Sequence, residues 1–476
     1  MSGQTPAPAA WQRTKIICTL GPANEADLVL AGMIRAGMDV ARINTAHGTP
    51  EGHAKRIAQV RRIAAEVGRP VAILVDLPGP KLRLGPLPGG SLTLKAGEQI
   101  TLSVEPAGHA IPVAYARLNE EVRPGEQIFL SDGEVALTVQ RVEGVRIVCR
   151  VENGGAIRSN SGMNLPTSEL SVTLPTEEDT RNLKFAIEQK AEWVGVSFVQ
   201  SLEDLQRVRA LLPQKQAPLL MAKIERRQAV INLKELLGGA DGVMVARGDL
   251  GVEIDLAEVP LTQKRIVHSA NAKARPAVIA TQMLDSMVAS PRPTRAEVTD
   301  VANAILDGAD AVMLSDETAI GSYPVGAVEV LHRVIRIVEG EYPYGGAFTR
   351  FASGQMASRS EESISFVASR LSFELGAKAI LLPTADLRSA ARIAQYRPKA
   401  PIIAITDSEF LCGQLSLLWG VVPHLGNPEK IDECVAHAQE WLTARGWAKA
   451  GDPIVLLKTS RPAQGFSDTL QVVHLA

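Results

Sequence analysis

The chain has 476 residues, too long for one ordinary domain and long enough for two or three. Hydrophobic residues make up 46%, charged residues 21% and aromatics only 4%, so the core must come from Val, Ile, Leu, Ala and Met. The net charge of −2, from 50 basic and 52 acidic side chains, excludes a general pull toward nucleic acid or an anionic membrane and leaves phosphate binding to a local cluster.

Residues 1–13 are expected to form a flexible leader, with no basic segment followed by an apolar one. Eight short, β-branched apolar runs follow: 14–20, 40–45, 71–77, 193–199, 219–225, 242–248, 277–283 and 311–317. Apolar runs without alternation mean burial on both faces, as in a parallel sheet. Most gaps hold an amphipathic helical stretch, such as 176–189, 201–211 and 295–306, and Thr294 with Glu297 forms a capping box for the last. Eight strands alternating with helices predict a (β/α)8 barrel over 14–84 and 161–340. Residues 85–160 instead show short alternating runs with Gly and Pro turns, predicting an all-β lid inserted after the third strand. Residues 341–357 read as a linker, and 358–476 as an open α/β domain with strands at 377–382, 401–406, 421–425, 454–458 and 470–475.

No apolar run approaches the ~18 residues that span a membrane. Cys18, Cys149, Cys412 and Cys434 are far apart and lack zinc-site spacing, which fits a reduced, cytoplasmic protein.

Barrel chemistry sits at the carboxyl ends of the strands. Here those ends carry Arg42, Asn44 and His47; Asp76, then Lys81 and Arg83; Ser197; Lys223 and Glu225; Arg247, Gly248 and Asp249; Thr281; and Ser315 with Glu317. Lys223 and Glu225 are two apart, so they project from the same strand face. Two carboxylates on adjacent strand ends, Glu225 and Asp249, suit Mg²⁺ with water and substrate oxygens. Clustered Lys and Arg beside such a cation suit a phosphorylated anion, which points to phosphoryl transfer or enolate chemistry.

The motifs TKIICTLGP (14–22), GMDVARIN (37–44), DGVMVARGDLG (241–251), ATQMLDSM (280–287), PRPTRAE (291–297) and MLSDET (313–318) occur in order, and the chain resembles the pyruvate kinase family. The resemblance implies a magnesium-dependent (or manganese-dependent) glycolytic phosphotransferase acting on phosphoenolpyruvate and ADP, assembled as a homotetramer. It implies that Glu225 and Asp249 hold the metal, that Lys223 faces the transferring phosphoryl group, and that Arg42 and Arg83 stabilise phosphate charge. It gives the substrate carboxylate to Gly248, Asp249 and Thr281, and the path of the enolpyruvate proton to Thr281, Ser315 and Glu317. Pro22, Asn44, His47 and Arg83 would border the nucleotide, and PRPTRAE is associated with subunit contacts.

Several positions depart from the family pattern. A K⁺ site of Asn, Ser and Asp survives here only as Asn44 and Asp76, because Ala46 replaces the Ser, and Lys81 stands where K⁺-dependent members carry Glu. The expectation is activity without K⁺, with the Lys81 ammonium as substitute cation. Residues 76–80 read DLPGP, and Ser161 stands where members carry a nucleotide-contacting Lys; both changes remove a lysine. The effector turn of allosteric members reads Thr384-Ala385-Asp386-Leu387-Arg388-Ser389 here. Asp386 suits a helix N-cap and would repel a phosphate by about 4 kcal/mol per charge at ~4 Å. No activation by fructose 1,6-bisphosphate is therefore expected at Thr384, Arg388 and Ser389, which leaves another phosphosugar or a nucleotide as effector.

Two other readings account for less. A magnesium-dependent barrel lyase or aldolase of pyruvate-type enolates explains Glu225 and Asp249 but not Arg42, Arg83 or the insert. A non-catalytic regulator would have a broken catalytic set, whereas Arg42, Lys223, Glu225, Asp249 and Thr281 are all present.

Overall fold

The structure is a computed structural model that describes residues 11–105, 108, 110–168, 170–345, 360–458 and 469–476. Eight parallel strands close into a barrel: Lys15–Thr19, Val40–Asn44, Ala72–Asp76, Trp193–Val196, Leu219–Ile224, Gly242–Ala246, Ala277–Ala280 and Ala311–Leu314. The first pairs with both the second and the eighth. Each predicted run therefore holds a strand, but every strand stops one to three residues before the run ends. The carboxyl-terminal residues of those runs turn instead into loops and short helices, such as Arg247–Glu253 and Asp316–Ala319.

Both strand faces are buried, and this explains the missing alternation. Ile16, Cys18, Ile43, Ile73 and Val75 pack with the helical shell. Ile17, Val40, Leu74, Trp193, Met221, Met244 and Met313 belong to a second cluster filling the barrel. The helices follow their predicted signals. Thr176, Ser201 and Thr294 each accept a backbone N–H three residues on, and each closes a capping box.

The segment after the third strand forms a six-stranded, mainly antiparallel sheet and a two-stranded one around its own core of Leu102, Ile128, Leu137, Ile147 and Val151. Three very short strands in it went unpredicted: Ile111–Pro112, Gly155–Arg158 and Met163–Asn164. Toward the C terminus, helix Ser360–Glu374 leads into a five-stranded sheet ordered Val421–Leu425, Ile402–Thr406, Ile380–Pro383, Pro453–Lys458, Thr469–His474. Its last strand runs antiparallel. Most of the expected linker lies outside the described residues, but Tyr342 within it stacks near Tyr344 and Trp419. Of the expected leader, residues 11–13 are packed. Trp11 meets Trp447 edge-on, Gln12 is buried, and the Arg13 amide donates to Glu339.

The C-terminal unit docks against the amino ends of the barrel strands. Arg397 pairs with Asp310 at 2.9 Å, both side chains 4% exposed, and its guanidinium lies over Trp419. Lys15 Nζ donates to the Val421 carbonyl at 2.7 Å, and Trp193 Nε1 to the Gln414 carbonyl at 3.2 Å. The barrel-filling cluster runs on through this junction to Leu387, Ile402, Leu415 and Leu457.

Glu192 lies at the same junction. Its Oε2 accepts the Ile73 amide at 2.6 Å, Arg61 stands 3.9 Å from Oε1, and a Cβ on Gly413 would fall 2.6 Å from its Cγ. Burial pushes its carboxyl up to about 7; the Ile73 bond and Arg61 oppose this, and Glu409 adds to it. The folded form therefore holds a proton that the unfolded form has already lost between pH ~4.5 and ~7, so stability falls as pH rises through that window. Glu192→Gln is expected to flatten this fall and to raise the thermal midpoint at pH 8, measured by calorimetry from pH 5 to pH 8.

Candidate active site

Strand alternation builds the site. Positions facing the barrel interior are apolar low in the strands and become polar at the carboxyl ends: Val40 gives way to Arg42 and Asn44, Leu74 to Asp76, Trp193 to Gly195 and Ser197, Met221 to Lys223 and Glu225. Lys223 lies at the centre of this layer. Its Nζ is 2.9 Å from Glu225 Oε1 and 3.3 Å from Asp76 Oδ1, and it donates to Ser197 Oγ at 2.7 Å. Arg42 grips the other oxygen of Asp76 through Nε at 2.8 Å and Nη2 at 2.6 Å, and its Nη1 donates to Thr19 Oγ1. Glu225 Oε2 accepts the Phe198 amide at 2.7 Å.

These charges hold one another. Burial works against the Lys223 ammonium, but Asp76 and Glu225 outweigh it and set its pKa above the ordinary lysine value. Burial also works against ionised Asp76, and Lys223 with Arg42 more than offsets it, leaving that carboxyl below the usual range. The Glu225 carboxyl is raised, first by burial; Lys223 opposes the rise and the Asp249 carboxylate adds to it. Glu225 and Asp249 thus crowd negative charge at one spot. Hard oxygen donors in that arrangement fit a divalent cation such as Mg²⁺ or Mn²⁺ completed by water and substrate oxygens. Among the described residues, no cluster of three or more His, Cys, Asp or Glu offers an all-protein metal site.

Thr281, Gln282 and Phe198, at the carboxyl ends of two strands, adopt φ of 69°, 54° and 57°. A β-branched residue in that region is an outlier that surrounding contacts must hold. For Thr281 the contact is a turn linking two strands: its Oγ1 accepts the Gly248 amide at 2.9 Å and donates to the Ala280 carbonyl at 2.6 Å.

Other expected residues lie elsewhere than the sequence suggested. Lys81 does not join Asn44 and Asp76. Its Nζ reaches Asp249 at 3.2 Å and Asp132, on an insert turn, at 3.5 Å, while the Asn44 side chain accepts the Ala46 amide. The Gly248 N–H, expected for a substrate carboxylate, is engaged by Thr281. Glu317 is 2% exposed, and its two oxygens accept the Leu284 and Ser315 amides, so it is an anchor for two loops rather than a group open to a proton path. Ser315 is half-buried above it. Arg247 points away to Asp300 and the Thr281 carbonyl. Arg83 Nη1 donates to the Asn160 carbonyl, where the insert rejoins the barrel. Pro22 and His47 are exposed on the loops after the first two strands.

Thr384, Arg388 and Ser389 do not converge. Asp386 caps its helix through the Ser389 amide and hydroxyl, Thr384 Oγ1 bonds the Asp386 backbone, and Arg388 is exposed. The sequence reading missed Thr19, Gly195 and Asp132. Thr19 has a plain signal, a hydroxyl at the end of the first strand. Asp132, in a turn 51 residues from Lys81, has none.

A parallel eight-stranded barrel with a buried lysine, two arginine-gripped or paired carboxylates and an insert at its carboxyl-end mouth defines a barrel enzyme built for an anionic substrate. The family models for the pyruvate kinase barrel domain and the pyruvate kinase alpha/beta domain match residues 11–328 and 362–473. The pyruvate kinase of Thermococcus litoralis is 43% identical over 419 residues, covering 86% of this chain and 88% of its own length. That of Geobacillus stearothermophilus is 39% identical over 475 residues (98% and 80%), and human pyruvate kinase PKLR is 38% identical over 493 residues (98% and 86%). The chain belongs to the pyruvate kinase family.

Gly195 permits the central charge cluster, since a Cβ there would fall 2.7 Å from Asp76 Oδ1. Gly195→Ala is expected to push that carboxylate off Lys223 and to destabilise the fold by about 1–3 kcal/mol, the range for overpacking a tight interior. Denaturant unfolding of the two proteins side by side checks this.

Proposed function

We propose that the chain transfers the phosphoryl group of phosphoenolpyruvate to ADP, giving pyruvate and ATP, as a cytoplasmic step of glycolysis. One observation carries the reading: Lys223, buried and held protonated between Asp76, Glu225 and Ser197, with Arg42 fixed beside it. Phosphoryl transfer breaks the bond between phosphorus and the enol oxygen, forms one to a terminal ADP oxygen and leaves enolpyruvate to take a proton at carbon. The protein's task is to position the substrates and to meet charge as it moves. Lys223 supplies a fixed positive charge for the phosphoryl and enolate oxygens. Arg42, aligned by Asp76 and Thr19, meets phosphate oxygens. Glu225 and Asp249 would hold Mg²⁺ or Mn²⁺, which polarises the phosphoryl oxygens when bound. Thr281, from the strained loop, and Ser315 lie toward the proton-delivery side. Pro22, Asn44, His47 and Arg83 border the nucleotide.

The insert acts as a lid. Its turn at Asp132 reaches Lys81 at the mouth, and Asn164 Nδ2 donates to Glu253 on the helix that carries Asp249. Independence of K⁺ rests on Ala46, which has no side-chain oxygen, and on Lys81, whose ammonium already stands at the rim against Asp249. Burial pulls its pKa down, but Asp249 and Asp132 outweigh that and raise it, so the charge persists at neutral pH. Assembly as a homotetramer is supported by exposed Leu306, Ile320, Tyr323 and Ile337 around the last two barrel helices. Among the described residues, no helix is long and apolar enough to cross a membrane.

Initial rates with phosphoenolpyruvate and ADP, read through lactate dehydrogenase, test the reaction. In this assay Lys223→Met is expected to lose at least ~10² in turnover with its circular dichroism unchanged, about 3 kcal/mol for one preorganised charge. Near-wild-type turnover would reject the role given to Lys223. Rates in Na⁺-only or Tris-only buffer are expected to match those in K⁺, and a strict K⁺ requirement would overturn the Lys81 reading.

A further inference from the structure

Arg226 follows Glu225 directly and keeps an extended backbone, with φ of −116° and ψ of 151°, just before the short helix Arg227–Ile231. Successive side chains of an extended chain leave it on opposite sides, so Arg226 is turned away from Glu225. It is 9% exposed, and its Nε is buried with no hydrogen-bond acceptor among the described residues. A guanidinium out of water without that bond must recover its hydration elsewhere. What it meets is an aromatic ring. The guanidinium carbon lies 5.3 Å from the centre of the Phe198 ring, within the range at which a ring face attracts a cation, most strongly where water is excluded.

Phe198 is held from three directions. Its amide donates to Glu225 Oε2 at 2.7 Å, from a backbone with φ of 57°. Gly79, in the loop after the third strand, packs so closely that a Cβ there would fall 2.8 Å from Phe198 Cδ2 and 2.9 Å from Ser197 Cβ. The Gly79 amide is itself tied to Asp179 Oδ1 at 2.9 Å. Arg226 supplies the third contact, over the ring. A left-handed backbone at a bulky residue persists only where its surroundings over-determine it, so the ring contacts and the amide bond depend on each other. Arg226 also acts on the next barrel stave. Burial raises the carboxyl of Glu253, the Arg226 charge opposes this, and Glu253 closes the short helix Arg247–Glu253 that carries Asp249. One guanidinium thus bears on the surroundings of both Glu225 and Asp249.

We propose that Arg226 is a positioning residue for the divalent cation: its guanidinium holds the Phe198 ring, the ring holds the left-handed backbone, and the Phe198 amide on that backbone orients the Glu225 carboxylate. The inference rests on the metal-holding role given above to Glu225 and Asp249. Arg226 acts at one remove, and partners that orient a metal ligand in this way typically change metal affinity by about 10–100-fold.

Mn²⁺ binding to the full chain without substrates, read from the loss of the electron paramagnetic resonance signal of free Mn²⁺, tests this. Wild type is expected to bind at millimolar Mn²⁺ or below, and Glu225→Gln to lose that binding. Arg226→Met, which keeps the length of the side chain and removes its charge, is expected to weaken binding about tenfold, with the half-saturating Mn²⁺ of the reaction raised in proportion. Phe198→Leu, which keeps the amide and removes the ring, is expected to weaken it as well. The double variant should bind no more weakly than the weaker single one, because the two residues act in series. Arg226→Lys, a milder change that loses the planar group, is expected to weaken binding at least about twofold, and it takes the place of Arg226→Met should that variant lose its circular dichroism. Wild-type Mn²⁺ affinity in the Arg226 variants, or losses that simply add in the double variant, would overturn the proposal and leave the metal role of Glu225 standing. Absence of Mn²⁺ binding in wild type, or undiminished binding in Glu225→Gln, would overturn that role and the proposal with it.

Discussion

Keeping a lysine charged inside a protein is the constraint on which the barrel mouth depends. An unpaired ammonium out of water gives up its proton rather than its hydration. Lys223 keeps it because Asp76 and Glu225 flank it, and each of these must in turn be stabilised. Asp76 takes Arg42 on its second oxygen, Glu225 takes the Phe198 amide, and Arg42 takes Thr19. The network therefore spans the first, second, third and fifth barrel strands and the loop after the fourth, and no one member can move alone. The strained backbone at Phe198 belongs to the same set, since its amide donates to Glu225 from that left-handed conformation.

The fold was readable because burial on both strand faces leaves a coarse signature. Uninterrupted apolar runs such as residues 71–77 cannot be amphipathic strands, and each marked its barrel stave. Strand ends were less legible. The same apolar or small residues continue past the sheet, so the run at 242–248 gave no sign that Arg247 already begins a helix. Within the site, Lys223, Glu225, Asp76 and Arg42 were found because side-chain alternation places them on one inward face. Partners set by long-range approach were not. Lys81 was assigned to Asn44 and Asp76, yet it meets Asp249 and an insert turn whose position only the folded insert determines. Glu317 carried a strand-end signal like the others, but two backbone amides claim its oxygens, and sequence periodicity does not reveal backbone partners.

Lys81 and Asp249 also show how the insert and the barrel rim are joined. One ammonium touches a carboxylate of the barrel and a carboxylate of the insert. Neutralising either carboxylate would shift that ammonium toward the other, so the insert turn and the Asp249 rim draw on the same side chain.

The far end of the barrel carries a different lesson. Ile17, Leu74, Trp193 and Met221 share one hydrophobic cluster with Leu387, Ile402 and Leu457 of the C-terminal unit, so the barrel has no floor of its own. Parting the two units would wet the interior that supports Lys223 from below. Heritable change is constrained accordingly. A C-terminal half grafted from a relative would have to bring its own plug to match this particular barrel, and drift on one side of the seam is bound to drift on the other.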